Sequence, residues 1–227
     1  HLRTQNLVRT GGARRSDLVE PYHDRVREAV VERLEPDARR SLHEKLAVAL
    51  EASGDADFEA LAVHFHGAGQ IERAADYAGR AADEASAALA FDRAARLYER
   101  SLAWKAPAGE AGARLRAKLG DALASAGRGR AAAEAYLAAA PDMPAAEALD
   151  CRRRAAEQLL RSGHIDEALE TFREVLAAIG MELPRTPKGA LVSLLARIVQ
   201  LKVRGLGYTE RDAKDVPAED LLRIDTC

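Results

Sequence analysis

Residues 19–28, with the sequence VEPYHDRVRE, hold the side chains best suited to acid–base chemistry. His23 could serve as a general base if the carboxylate of Asp24 oriented its ring. The two are sequence neighbours at a predicted helix start, where adjacent side chains diverge, and no serine or cysteine nucleophile motif lies nearby. Alternatively, Asp24 caps the helix, and Arg27 and Glu28 form surface ion pairs. We therefore interpret the stretch as a structural joint and predict no catalytic residue.

Other residues with ligand chemistry are scattered along the chain. His64 and His66 are two positions apart, so a helix would point them to different faces, whereas metal ligands on one helix need a spacing of i, i+4. No metal site is predicted. Cys151 and Cys227 are far apart, which argues against a disulfide framework and a zinc site and fits the reducing cytosol. We expect a cytoplasmic protein.

Motifs that bind phosphate groups or transfer them are missing from the sequence. It has no Gly-x-x-x-x-Gly-Lys-Ser/Thr loop, no Gly-x-Gly-x-x-Gly fingerprint and no His-Arg-Asp catalytic loop. We therefore expect no cofactor in this segment and no enzymatic activity of its own. The 34 basic and 36 acidic residues leave a net charge of −2, which argues against a nucleic-acid partner. No apolar run reaches the ~18 residues of a membrane span, so a membrane partner is not expected either.

The composition predicts helices. Alanine supplies 49 of the 227 residues, and aromatic residues only 4 %. Alanine has the best helix propensity, with leucine, arginine and glutamate close behind, and small side chains let helices approach closely. The predicted fold class is therefore all-α, made of many short helices. Because the sequence starts at His1 without an initiator methionine and stops in the apolar run LLRIDTC, we expect a segment of a longer chain.

The first 22 residues are the one part that suggests strands. The runs NLVRT and DLVEPY flank Gly11 and Gly12, a pattern typical of a short β-hairpin. A first helix is expected after Asp24. A second is expected to open at Pro36, where proline's missing N–H costs nothing, and to close at Gly54.

From residue 55 on, the sequence indicates helical hairpins around turn glycines. Gly127 and Gly163 are 36 residues apart, and alanine-rich helical patterns precede and follow each of them. The best units are residues 113–144 and 149–180. The pattern resembles the tetratricopeptide repeat, whose period is ~34 residues. The resemblance implies a helical-hairpin solenoid.

The earlier units are less regular. A weaker unit at residues 55–86 surrounds Gly69, and the run DRAARLYERSL at residues 92–102 is the second helix of another. Its Ala94 follows Ala74 by only 20 residues. We therefore expect one helix to serve both hairpins.

In tetratricopeptide arrays the first helix of each hairpin lines the groove that takes a protein or peptide. Mapping from the turn glycines gives partner-groove candidates of both charges in the two best units: Arg114, Asp121, Ser125, Asp150, Arg153, Glu157 and Arg161. A mixed-charge groove suits a protein or peptide partner. The alternative is a merely solvated helix face.

The stretch at 22–28 also carries a family resemblance. Tyr22, His23, Asp24, Arg27 and Glu28 follow the order of the motif that closes the winged helix of STAND-class signalling ATPases. In these bacterial regulators an AAA-type module precedes a winged helix and a tetratricopeptide array. Some are linked to serine/threonine kinases, and others are maltose-regulator-like activators. The runs LAVALE and AFDRAARLYERSL also resemble this family.

This resemblance implies three parts: a partial winged-helix module with a short β-hairpin at 1–54, tetratricopeptide-like repeats at 55–182 and a C-terminal helical extension at 183–227. It also implies that ATP and Mg²⁺ bind elsewhere in the parent chain. His23 is then a nucleotide-sensing candidate, and Tyr22, Asp24, Arg27 and Glu28 form the structural joint.

Residues 186–205 differ from the repeats. They carry a broad apolar face, and from residue 183 to 209 there are five basic residues and no acidic one. Thr186 and Pro187 are a helix start. Because a solenoid end needs a cap, we predict that this helix packs on residues 149–180 through Leu191, Leu194, Leu195 and Ile198. The alternative is a basic amphipathic helix lying on a membrane.

The predicted function is regulatory. The chain would be a non-catalytic arm that senses a protein, peptide or ligand through its repeats and restrains an upstream ATPase or kinase module in the same chain. The first alternative is a stand-alone tetratricopeptide adaptor. The second is DNA binding through the winged helix, for which residues 1–45 offer only 10 basic against 8 acidic residues.

Overall fold

The computed structural model describes residues 8–10, 19–21, 24–54, 57–181, 183–184, 186–205, 207, 212 and 216. The chain divides into two compact units, His1–Ala78 and Gly79–Cys227. The boundary between them falls inside one helix, α4, which spans Ile71–Ala87. Helices dominate the described residues, as the alanine-rich composition predicts.

The first unit begins with two short strands and continues with helices. The strands β1 (Val8–Thr10) and β2 (Val19–Pro21) pair antiparallel, with Val8 opposite Pro21. The helices that follow are α1 (Asp24–Glu32), α2 (Pro36–Ser53), α3 (Phe58–Gly67) and the start of α4. The assignment of residues 1–54 to a winged helix stays a prediction.

Helix boundaries in the first unit follow the signals in the sequence. Proline 36 opens α2, and Gly54 ends it in the left-handed conformation at φ 73°, so both predictions are confirmed. The α1 helix begins at Asp24. Asp57 caps the α3 helix, since its carboxylate accepts a hydrogen bond of 2.9 Å from the backbone N–H of Glu59. This cap was not among the predicted helix boundaries.

The second unit continues from α4 through a series of antiparallel helices. They are α5 (Phe91–Trp104), α6 (Gly109–Ser125), α7 (Gly129–Ala139), α8 (Ala145–Arg161), α9 (Ile165–Ala178) and α10 (Pro187–Arg204), with a 3-10 turn at Ala140–Asp142. From α5 to α9 each helix packs on the next. The predicted helical repeat is thereby confirmed, and one helix, α4, lies between the two turns that flank Ala74, as expected.

The same turn closes five helices: α3, α4, α6, α8 and α9. A backbone N–H donates to the carbonyl five residues earlier, and the residue before the donor is left-handed. The donor–acceptor pairs are Gln70–Phe65, Ala90–Ala85, Arg128–Leu123, His164–Leu159 and Met181–Leu176. In four of these turns the left-handed residue is glycine: Gly69, Gly127, Gly163 and Gly180. The turn glycines of the sequence are therefore placed correctly.

The remaining turn, which follows α4, has no glycine, so the sequence carried no turn residue that could be recognised there. Its left-handed residue is Leu89, at φ 59°, the one non-glycine residue with positive φ among the described residues. A side chain in this conformation brings Cβ too close to the following carbonyl oxygen, at a cost of roughly 1–2 kcal/mol. The side chain of Leu89 is 73 % exposed, so burial offsets little of that cost.

Close helix approach depends on small residues. On α6, Gly120 lies under the ring of Tyr136 on α7, and a Cβ at position 120 would stand 2.6 Å from two ring carbons. The interior of the unit is built mainly from alanines between such aromatic rings. The approach of Gly120 to Tyr136 is therefore a packing contact between α6 and α7.

The cap prediction for α10 is wrong. Leu191, Leu194, Leu195 and Ile198 are all exposed, between 41 and 58 %. The apolar end of the last hairpin is instead closed by Ile179, with Met181 packed beside it against Leu149 and Val175. These two residues follow α9 directly and leave α10 without a core position to fill. None of the described helices is long and apolar enough to cross a bilayer.

We predict that Leu89→Gly stabilises the protein by about 1 kcal/mol, because glycine adopts the left-handed conformation without a Cβ clash. Urea unfolding should show a higher midpoint with an unchanged slope. The matched control is Gly127→Leu, where a Cβ meets nothing within 4 Å, so that only the backbone penalty acts and stability should fall. Equal midpoints for Leu89→Gly and the parent chain would contradict the prediction.

Candidate functional site

The joint at residues 22–28 is only partly described. Tyr22 and His23 lie outside the described residues, and so does the side chain of Arg27. Glu28 is exposed on α1. The proposed roles of His23 in nucleotide sensing and of Asp24 as a cap therefore stay predictions.

The second unit contains a polar triad that joins three successive helices. A carboxylate oxygen of Asp121 on α6 accepts a hydrogen bond of 2.7 Å from the hydroxyl of Tyr136 on α7. The same oxygen is bound by Arg154 on α8, which also donates to the tyrosine hydroxyl at 2.8 Å. The guanidinium lies over the Tyr136 ring, 4.4 Å from its centroid, a cation–π geometry.

The same arrangement occurs one hairpin earlier. A carboxylate oxygen of Asp83 on α4 accepts from the hydroxyl of Tyr98 on α5 at 2.6 Å. Lys118 on α6 donates to that oxygen at 2.8 Å. In both triads the tyrosine follows the aspartate by 15 residues, so the polar contact repeats with the helical hairpin.

Both tyrosines are held in the protonated, donating form. Burial raises the pKa of the Tyr136 hydroxyl, and the hydrogen bond to Asp121 raises it further. Burial and the hydrogen bond to Asp83 raise the pKa of Tyr98 in the same way. These hydroxyls are structural donors that tie helices together and are not poised to act as bases.

The hairpin of α8 and α9 has no tyrosine hydroxyl at the position that matches Tyr136. Tyr136 follows the left-handed Gly127 by nine residues, and the residue nine after Gly163 is Phe172. The matching acid is Glu157 on α8, which forms ion pairs with Arg153 at 3.6 Å and Arg161 at 2.8 Å. The acid at this position is therefore paired along its own helix instead of across the hairpin.

Ion pairs link alternate helices of the second unit, which lie in two layers. Arg114 on α6 pairs with Glu110 on its own helix and with Glu147 on α8, which sets α6 beside α8. Arg130 on α7 pairs with Glu134 on its own helix and with Glu167 on α9, which sets α7 beside α9. Alternate helices thus line up, as stacked hairpins require.

All seven partner-groove candidates lie on α6 and α8. Six of them are charged and form ion pairs within one helix or with another helix. We call these six residues the α6/α8 charged face: Arg114, Asp121, Asp150, Arg153, Glu157 and Arg161. Ser125, the remaining candidate, is exposed at the last position of α6. Asp121 is engaged in the triad, so its part is to hold α6, α7 and α8 together. A partner role for this face stays a prediction.

The first unit contains a related cluster with different spacing. The carboxylate of Glu51 on α2 accepts hydrogen bonds from Arg73, at 2.6 Å, and from the hydroxyl of Tyr77, both on α4. The hydrogen bond from Arg73, followed by that from Tyr77, lowers the pKa of this carboxyl. The Phe65 ring stacks on Tyr77 with centroids 5.4 Å apart and carries the Arg73 guanidinium at 3.9 Å.

A histidine pair that sequence reasoning missed joins α2 to α3. The Nδ1 atoms of His43 and His64 are 3.0 Å apart. The His43 ring rests on Gly67, where a Cβ would come within 2.5 Å of it. The pair borders an apolar cavity of about 610 Å³ whose walls include Leu42, Leu46 and Val63. The two histidines are 21 residues apart in sequence, and no spacing rule relates them.

The remaining candidate ligands are the histidines of α3 and Cys151. His64 is half-buried and His66 exposed on the same helix, so the two point to different faces. Among the described residues no group of three or more metal-ligating side chains comes together. Cys151 is buried, and burial raises the pKa of its thiol, which disfavours the nucleophilic thiolate.

Comparison with known proteins shows likeness only at the level of helical repeats. No family model and no curated protein matches the sequence. The Sgt2 TPR domain from Aspergillus fumigatus is 19 % identical over 65 % of this chain and 93 % of that one, with a TM-score of 0.36. The TPR-like repeats of a putative kinesin light chain from Podospora anserina are 15 % identical over 66 % and 88 %, with a TM-score of 0.38. Because both scores are below 0.5, the helical-repeat fold rests on the repeated turns and triads of this chain.

We predict that Tyr136→Phe destabilises the protein by about 1–2 kcal/mol, because Asp121 and Arg154 each lose their hydrogen bond to the tyrosine hydroxyl. Urea unfolding measures the change. The converse variant, Phe172→Tyr, should shift stability by less than about 0.5 kcal/mol, since Glu157 is already bound by two arginines. A loss no larger for Tyr136→Phe than for Phe172→Tyr would contradict a structural role for the triad.

The histidine pair should make the first unit sensitive to acid. Burial, and then the neighbouring His43, lower the pKa of His64 below its ordinary value of 6.5, so the folded state favours the neutral ring. The contribution of the neutral His64 ring to the free energy of unfolding is therefore fully present above pH 6.5. It is lost as the pH falls from there through the lowered pKa.

Urea unfolding at a series of pH values between 7.5 and 5 tests this expectation. His64→Gln, which does not titrate, should reduce the loss of stability on acidification. His66→Gln, on the same helix but exposed, should leave that loss unchanged. If His64→Gln loses as much stability as the parent chain between the two ends of the range, the pair does not govern the acid response.

Proposed function

We propose that this chain is a non-catalytic, tetratricopeptide-like interaction segment that binds a protein or peptide of mixed charge on its α6/α8 charged face. The proposal rests on ion pairs that involve side chains of this face and leave those side chains about half exposed to solvent. Arg114 remains 55 % exposed while it pairs with Glu147 of the neighbouring helix, and Arg161 is 70 % exposed. Such side chains are ordered and still open to a partner.

The triad of Asp121, Tyr136 and Arg154 supports the proposal. Its hydrogen bonds tie α6 and α8 to α7, so the charges on these helices keep a set spacing. A binding surface on rigid, mutually braced helices loses less conformational entropy when a partner docks. Charges of alternating sign favour a partner with the opposite alternation and disfavour a uniformly charged one.

Within this role, the finer assignment is a regulatory segment of a STAND-class signalling ATPase or of a kinase-linked relative. Its support is the order of Tyr22, His23, Asp24, Arg27 and Glu28 in the sequence, which resembles that family. A partial winged helix at 1–54 and an ATPase or kinase module in the same chain belong to this assignment. A stand-alone adaptor fits the α6/α8 charged face equally well, because the face needs nothing from an upstream module.

Selection of peptides from a random display library against the chain tests the interaction role. We expect binders that carry both acidic and basic residues. In fluorescence polarisation, Arg114→Glu and Arg161→Glu should each weaken the selected peptides about tenfold, because each reversal places like charges next to an existing carboxylate and repels the acidic residue of the peptide.

The α7/α9 layer offers a matched control. Arg130 pairs with one glutamate on its own helix and one on the next helix of its layer, at 52 % exposure, just as Arg114 does. Arg130→Glu should therefore cost the same small amount of stability and leave peptide affinity unchanged. Peptides that respond to Arg130→Glu, or that ignore both reversals on α6 and α8, would place the binding surface elsewhere.

A further inference from the structure

The α10 helix is a self-contained helix with an uncovered apolar surface. It begins with its own cap, because the Thr186 hydroxyl accepts a hydrogen bond of 3.1 Å from the N–H of Gly189, and it ends at Gly205, which has a positive φ. Its large apolar side chains are all exposed, from 41 % at Ile198 to 84 % at Val203. A continuous apolar surface of this kind marks an interaction site.

The polar residues of α10 form a narrow stripe. Ser193, Arg197, Gln200 and Arg204 are spaced by four, three and four residues, so they share one face of the helix. Within it Arg197 donates to Gln200 at 3.3 Å. The rest of the circumference is apolar apart from the lysines near the two ends. Arginines on the polar face and leucines on the apolar face are features that α10 shares with helices that lie in a membrane interface.

The charge of α10 is of one sign. Lys188, Arg197, Lys202 and Arg204 are basic, and the helix has no acidic residue. Lys188 and Lys202 stand in the first and last turns on the side opposite the polar stripe, so they reach polar headgroups by extending past the helix ends while their stems stay on apolar surface. This composition is complementary to an anionic surface, whereas the repeats carry charges of both signs in pairs.

We propose that α10 binds an anionic lipid surface, lying in the plane of the interface with its leucines, isoleucine and valines among the acyl chains. The failure of the cap prediction motivates this revision of the expectation that the chain has no membrane partner. Four charges in 18 residues oppose a position across the bilayer. A second copy of the chain is a poorer occupant, because two α10 helices would bring eight basic groups together with no acidic group on either helix.

Flotation of the full chain with lipid vesicles tests the proposal. The chain should float with vesicles that contain phosphatidylserine and remain behind with vesicles of phosphatidylcholine alone, and added salt should release it. Lys188→Glu with Lys202→Glu should lower partitioning at least about thirtyfold. Leu194→Ser with Leu195→Ser should lower it by a similar factor, because two anchors are lost from the apolar face.

The control variant is Leu160→Ser with Ile165→Ser, which removes two apolar side chains of similar exposure, 47 and 55 %, from the last hairpin. It should float as the parent chain does. Circular dichroism should show unchanged unfolding of the repeats in the α10 variants, since all the changed side chains are exposed.

Four results would overturn the proposal. The first is no flotation with anionic vesicles, and the second is equal flotation with neutral ones. The third is light scattering that shows a concentration-dependent dimer, abolished by Leu194→Ser with Leu195→Ser, in a chain that does not float. That third result would make a second copy the occupant of the apolar face. Loss of flotation in the Leu160→Ser, Ile165→Ser control would also place lipid binding outside α10.

Discussion

The repeat in the second unit depends on one carboxylate oxygen that serves three helices. Asp121 lies on α6 and is bound at the same oxygen by Tyr136 of α7 and Arg154 of α8. Leaving any of these buried or half-buried groups without its partner costs more than the bond itself contributes. The triad therefore fixes which turn of each helix faces which, a specification that interchangeable alanine contacts do not provide.

The triad matters because the interior is built from small side chains. An alanine buries little apolar area, so each contact contributes little, and the helices gain by approaching closely along their whole length. Gly120 allows an especially close approach, because the Tyr136 ring lies where a Cβ would be. The ring fills the space between helices while its hydroxyl reaches Asp121. Packing and hydrogen bonding thus converge on one tyrosine, and the same combination occurs at Tyr98.

The sequence predicted the helices and most of their turns because both are local. Gly69, Gly127 and Gly163 have the left-handed conformation that only glycine adopts at little cost, and alanine sets the propensity between them. Leu89 escaped notice because nothing local marks a leucine as left-handed; the surrounding hydrogen bonds impose it. The 15-residue offset from Asp83 to Tyr98 and from Asp121 to Tyr136 was visible in the sequence and could have identified both polar contacts.

What the sequence could not supply was the partner of each surface. Periodicity gives α10 an apolar face, but it does not show that Ile179 and Met181 close the last hairpin and α10 does not. His43 and His64 meet because α2 and α3 pack together, and the distance between their Nδ1 atoms, 3.0 Å, has no counterpart in their spacing. The groove candidates lie on α6 and α8, as the turn glycines indicated. Which of them form ion pairs with one another follows only from the three-dimensional structure.

That mutual pairing limits how the α6/α8 charged face can bind. Arg114, Arg153 and Arg161 each already have a carboxylate partner, so an incoming acidic group replaces an existing ion pair instead of satisfying an isolated charge. Exposed pairs contribute only about 0–1 kcal/mol each, so the exchange costs little and also gains little. Affinity must then come from apolar and backbone contacts with the partner. The pattern of alternating charges decides which partner can replace all of the existing ion pairs with its own charged groups. The charged face of this chain is therefore a device for selectivity, and a partner with charges of one sign would leave some of these carboxylates or arginines without a counter-ion.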